Sequence, residues 1–142
     1  MKYAKVYLED VEIGTEMPTL VKGPIEQIQL TRYAGASGDF NPIHQDAAFA
    51  RAAGMGDVFG HGMLSMGLAA RVVKDWFGPE AIRRLQVRFS KQVWPGDVLT
   101  CTAVVTGKRE ENGEHLVDLE LKVANQDGVE SVSGAATAAV AG

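Results

Sequence analysis

Several features that would steer a reading are missing from this sequence. There is one cysteine in 142 residues, Cys101, so no intrachain disulfide can form. It sits in the strand-like run 98–105, where a small buried hydrophobe is expected rather than a nucleophile. No apolar run reaches 18 residues, so no transmembrane helix is expected. Met1-Lys2-Tyr3-Ala4-Lys5 leads into no apolar stretch of signal-peptide length, and a cytoplasmic protein is expected. Basic residues are outnumbered, 14 against 18 acidic, for a net charge of -4. That balance lacks the basic stripe a nucleic-acid surface needs. The one dense basic stretch, 82–88, alternates with apolar residues and reads as a solvated strand face rather than a phosphate-binding patch. No internal repeat, linker or low-complexity segment divides the chain, and its length fits one domain over 1–142.

Hydrophobic residues make up 46% and charged residues 23%, which is the balance of a globular core. Residues 1–25 look extended and turn-rich, with a first strand at 19–21. The stretch 26–36 looks helical, with an apolar face from Ile28, Leu30, Tyr33 and Ala34. Gly38 is suited to end that helix, and Pro42 pushes Asn41 out of the α region. Asp46 can cap a short helix that runs to Ala53. The strongest helix candidate is 62–77, where Met63, Met66, Ala70 and Val73 recur at three- and four-residue spacing beside Leu64 and Leu68. Strand-like runs follow at 82–93, 97–109, 114–125 and 129–140. They are separated by Trp94-Pro95-Gly96-Asp97 and by the hairpin dipeptides Asn112-Gly113 and Asp127-Gly128. Helices first and hairpins after is an α+β order, not a βαβ one.

Side chains able to do chemistry gather in Ser37-Gly38-Asp39-Phe40-Asn41-Pro42-Ile43-His44. On a continuous helix Asp39 and His44 would stand about 140° apart. Pro42 breaks such a helix, and a bent loop can bring both to one point. A carboxylate and an imidazole sharing a water can activate it and move its proton. The same spacing also suits an aspartate that caps and a histidine that packs. The second feature is Gly60-His61-Gly62-Met63-Leu64, at the start of the long helix. Free N–H groups and the positive end of the dipole lie there. A glycine lets a ligand carbonyl reach that backbone, and such a donor can hold an oxyanion. Taken alone, the stretch reads more readily as a glycine-rich helix entry with no ligand.

Together these segments resemble the MaoC-like family, which includes the (R)-specific enoyl-CoA hydratases and the bacterial (3R)-hydroxyacyl-ACP dehydratases. The resemblance is carried by Tyr33-Ala34, by the run from Ser37 to Asp46, by His61-Gly62-Met63-Leu64 and by Val93-Trp94-Pro95-Gly96-Asp97. It implies a hot-dog fold, an antiparallel sheet wrapped around a central helix at about 62–77. It also implies roles: Asp39 and His44 as the acid/base pair on a water, in an order left open. Gly62 N–H would hold the thioester oxygen, and Asn41 would fix the loop or the water. The implied substrate is an acyl-CoA or acyl-ACP. The implied partner is a second subunit, identical or related, joined sheet to sheet; no nucleic-acid or membrane partner is expected. No cofactor and no metal are implied, and His44 and His61 lack the i, i+4 spacing of a helical zinc motif.

One departure stands out. Some (R)-specific hydratases carry a serine eight residues after the oxyanion glycine, where this chain has Ala70; Ser65 is near but not equivalent. Three other readings remain at this stage. They are the dyad-bearing subunit of a heterodimeric dehydratase, a hot-dog protein that binds acyl thioesters without turning them over, and a thioesterase. For the last, the long helix offers only Asp75. Met63, Met66, Trp76 and Trp94 are candidates to line an acyl tunnel, and core packing would explain each as well.

Overall fold

The computed structural model describes residues 3–142, and its local structure follows the punctuation of the sequence. After the short strand β1 (Leu20–Lys22), helix α1 (Gln27–Ser37) stops at Gly38, whose φ of 77° is the left-handed conformation a helix end requires. Asn41 and Pro42 open a single 3-10 turn, Pro42–His44. The Asp46 carboxylate then accepts from the N–H groups of Ala48 and Phe49, at 2.9 and 3.1 Å, and starts α2 (Ala47–Ala52). The long helix α3 (Gly62–Phe77) precedes strands β2 (Ile82–Phe89), β3 (Leu99–Glu111), β4 (Glu114–Ala124) and β5 (Glu130–Val140).

The five strands form one antiparallel sheet in the order β1-β3-β4-β5-β2. Asn112 and Gly113 both take positive φ, 51° and 79°, as the two central residues of a type I′ turn must. Helix α3 packs across β2 to β5, giving the α+β hot-dog arrangement of a long helix held by a sheet. Inward residues of the sheet, among them Val105, Leu119, Leu121, Val123 and Ala136, meet Leu68, Ala69, Val72 and Val73 of α3. Each fully buried valine or leucine in such a layer contributes roughly 1.5–3 kcal/mol. Among the described residues no helix is long and apolar enough to cross a membrane.

Two expectations need correction. The buried face of α3 is Ser65, Leu68, Ala69, Val72 and Val73; of the expected apolar positions Leu68 and Val73 are buried, while Met66 and Ala70 are only half-buried. Met63 is 56% exposed. The small Ser65 and Ala69, four residues apart, lie on one helix face and let the backbone sit close to the sheet. Larger methionines would hold it off. The strand read at 82–93 ends at Phe89. Beyond it, Val93 is buried, and its carbonyl accepts from Gly60 N–H at 2.7 Å. The segment therefore braces the entry to α3 instead of extending the sheet. The basic strand is solvated as expected: Arg83 is paired with Glu114 at 2.7 Å.

Candidate active site

The loop between α1 and α2 folds back on itself through short-range bonds. Asn41 Oδ1 accepts from Ile43 N–H at 3.1 Å, and Asp39 Oδ1 accepts from Asn41 N–H at 3.2 Å. These bonds and the Pro42 turn place Asp39 and His44 on the same side of the loop. Asp39 Oδ2 and His44 Nε2 lie 3.9 Å apart, beyond direct hydrogen-bond range. Two acceptors that share one water, each about 2.8 Å from its oxygen, stand roughly 4 Å apart.

His44 is buried, and its Nδ1 sits 2.6 Å from the carbonyl oxygen of Phe59. A carbonyl can only accept, so Nδ1 carries the hydrogen. In the neutral ring Nε2 is then a bare lone pair facing the Asp39 carboxylate. The carboxylate itself is half open to solvent, its side chain 51% exposed. The His44 ring stacks on His61 with centroids 3.9 Å apart, and His61 meets the edge of Tyr33 at 4.8 Å. His61 is fully buried, and its Nε2 lies 3.1 Å from the Asp39 carbonyl. Burial pushes the His61 pKa down. The bond to Asp39 opposes that shift, and the neighbouring His44 adds to it. Asp39, His44 and His61 bring ligand-type atoms within 4.8 Å of one another. Two of the four ring nitrogens are held by carbonyl oxygens; of the other two, His61 Nδ1 is buried without a partner and His44 Nε2 faces the Asp39 carboxylate.

Gly62 is the first residue of α3, so its N–H has no partner within the helix. It lines a cavity of about 290 Å³ together with Phe59, Ser65, Phe89, Val93 and Val132. A Cβ on Gly62 would press the Phe89 ring at 3.3 Å, so a side chain here would crowd the space beside this backbone. Asp39 and His44 do not line the cavity. They adjoin it through Phe59, whose carbonyl holds His44, and through His61, which is covalently joined to Gly62. None of Met63, Met66, Trp76 and Trp94 lines it either. Trp76 packs against the core, and Trp94 stands edge-on to Phe59 at 6.0 Å.

Two groups at the site are not picked out by sequence reading. The Phe59 carbonyl leaves no trace in residue identity, and Ser65 is not at the family position. The structure puts Ser65 in the cavity wall, one turn beyond Gly62. Asp75, the carboxylate a thioesterase would need, is at the far end of α3. It is paired with Lys74 at 2.8 Å and Arg71 at 3.3 Å. The hydrogen bond from Lys74 is the main influence holding its pKa down. Cys101 is sealed in the core, and burial pushes its thiol up to about 11. It is no nucleophile.

The chain is 35% identical over 103 residues to an (R)-specific enoyl-CoA hydratase of Rhodospirillum rubrum, covering 71% of this chain and 70% of that one. It is 39% identical over 67 residues to the peroxisomal hydratase-dehydrogenase-epimerase of Saccharomyces cerevisiae. That match covers 47% of this chain and 7% of the yeast protein, so the chain spans a small part of such long relatives. The unliganded R-hydratase PhaJ1 of Pseudomonas aeruginosa superposes with a TM-score of 0.85 at 29% identity, covering 96% of this chain and 86% of that one. The family described as MaoC like domain matches residues 10–126. With the dyad loop and the glycine at the head of α3 both inside that span, the chain belongs to the MaoC-like domain family.

Proposed function

We propose that this chain adds water to trans-2-enoyl thioesters, giving (R)-3-hydroxyacyl thioesters, and runs the reverse dehydration, with CoA or ACP as carrier. The observation that carries the reading is the facing of Asp39 Oδ2 and His44 Nε2 across 3.9 Å, with His44 Nδ1 committed to the Phe59 carbonyl. A water held there donates one hydrogen to each acceptor and turns a lone pair outward. Bulk water has a pKa of about 15.7, so attack on an enoyl β-carbon needs that help.

The tautomer supports His44 as the first base in this reading. His44 Nε2 takes the proton as the water oxygen bonds to the β-carbon, and Asp39 stabilises the imidazolium. The double-bond electrons move to the thioester oxygen, which Gly62 N–H stabilises. The dyad then delivers a proton to the α-carbon, so one water has been added in balance. Asn41 keeps the loop in shape through its bond to Ile43 N–H. Ser65 offers a hydroxyl to the same oxygen from the cavity wall. Ser65→Ala is expected to lower kcat about 2- to 10-fold, the worth of one neutral hydrogen bond; an unchanged kcat would take Ser65 out of this role.

The deciding experiment incubates purified protein with crotonyl-CoA, a longer enoyl-CoA and an enoyl-ACP, following loss of the conjugated double bond. Loss with any of them supports the reading. A folded sample inert toward all three sinks it.

A single domain over 1–142, a cytoplasmic location and pairing with a second subunit are parts of the same proposal. A reduced, buried Cys101 suits a reducing compartment. Pairing is supported by the large apolar side chains left open at the site: Phe40 is 69% exposed, and Met63 and Phe89 are about half exposed. β2 and the three-residue β1 are the sheet edges. Light scattering at micromolar concentration should give the mass of a dimer, of like chains or of this chain with a related one; a stable, active monomer would end this part.

A further inference from the structure

His61 has no part in the proton transfers above, yet it is the most deeply buried polar side chain of the site, 2% exposed. Its Nε2 faces the Asp39 carbonyl at 3.1 Å, so that nitrogen carries the hydrogen. Its Nδ1 is then a bare lone pair, and it has no hydrogen-bond partner although buried. Leaving such an atom unpaired is costly. A phenylalanine would fill the same space, stack on the same neighbours and carry no such penalty. The compensating gain is the Nε2–H bond to the backbone of the catalytic loop.

We infer that His61 is a positioning residue for the dyad, a neutral donor that clamps the Asp39 backbone while its ring face holds His44 in plane. The inference rests on the hydratase reading given above. Three groups face the ring: Tyr33 from α1, and Asp39 and His44 from the loop. A second proton on His61 would put an N–H at Nδ1 where no acceptor stands. It would also place a charge 3.9 Å from the His44 ring, the one that must become cationic in the reaction. His61 therefore stays neutral so that His44 can cycle its proton. The same clamp fixes the separation of Asp39 and His44, because it ties the backbone of one to the ring plane of the other.

Two measurements test this. The chain has only three histidines, so ¹⁵N-histidine labelling, with His44→Asn and His115→Gln for assignment, resolves each ring. At neutral pH, His61 should show the neutral Nε2–H tautomer and His44 the Nδ1–H tautomer. This arm needs no substrate, so it stands even if the hydratase reading fails. The kinetic arm compares His61→Phe with His61→Gln. Phenylalanine keeps the stack and loses the donor, and kcat should fall about tenfold with KM changed less than about twofold. The glutamine amide nitrogen reaches about as far as Nε2 and should recover kcat to within about threefold of wild type. A residue that only fills space would behave in the opposite order. A charged or Nδ1–H His61, a wild-type kcat in His61→Phe, or a glutamine variant no better than phenylalanine would overturn the inference.

Discussion

Asp39→Asn is expected to lower the hydration rate by roughly 10² or more while the protein stays folded. The carboxylate is half exposed, and its only bond within the loop is the one Oδ1 accepts from Asn41 N–H. An asparagine keeps an oxygen for that bond. What it loses is the charge that steadies the His44 imidazolium and one of the two acceptors that orient the water. General acid/base groups typically contribute 10²- to 10⁴-fold. His44 needs more care. His44→Ala empties the space beneath His61 and leaves the Phe59 carbonyl unpaired, which costs about 1–3 kcal/mol in stability. His44→Asn can place an N–H near the position of Nδ1, keeping that bond while removing the base. Both histidine variants should lose at least as much rate as Asp39→Asn, and the asparagine should melt closer to wild type. Initial rates with an enoyl-CoA, read beside thermal melts, check this. Near wild-type turnover in either well-folded asparagine variant would remove the dyad from the mechanism.

The legible parts of this protein are those where local chemistry alone decides. Gly38 ends a helix because a left-handed residue is needed there, and Asp46 caps because its carboxylate reaches two N–H groups. Asn112-Gly113 turns a hairpin whatever surrounds it. The bend of the Asp39–His44 loop is legible for the same reason, through Pro42, but the acid/base reading of the pair rests on the resemblance to the MaoC-like family and not on spacing. What could not be read depends on tertiary contacts. The buried face of α3 keeps Leu68 and Val73 of the expected apolar positions but turns toward Ser65, Ala69 and Val72, and periodicity does not register the polar Ser65 as a buried position. Val93 leaves its strand pattern to accept a bond from Gly60, more than thirty residues earlier. The tautomer of His44 is set by a main-chain carbonyl at Phe59. Any residue there would supply that carbonyl.

Hydration should give a single enantiomer, and the proposal makes it (R). The chirality arises because water and thioester oxygen are held by separate anchors. In the proposed arrangement water sits between Asp39 and His44, on the loop side of Phe59. The thioester oxygen would be held at Gly62 N–H, the first donor of α3, with Ser65 along the same wall. With the oxygen fixed, turning the enoyl plane over to present its other face to the water would pull that oxygen off its donor. Losing one oxyanion donor typically costs about 2.7–4 kcal/mol, which is a preference of about 10²–10³ for one face. The Phe89 ring, which a side chain at Gly62 would meet at 3.3 Å, further narrows the space for an inverted pose. Crotonyl-CoA hydration coupled separately to dehydrogenases specific for (R)- and (S)-3-hydroxyacyl thioesters reads the outcome. The (R)-specific coupling should carry more than about 99% of the signal. Equal signals would mean that the thioester oxygen is not held at the head of α3. Signal confined to the (S)-specific coupling would mean that the dyad approaches the opposite face and that the proposed arrangement of water and oxyanion is wrong.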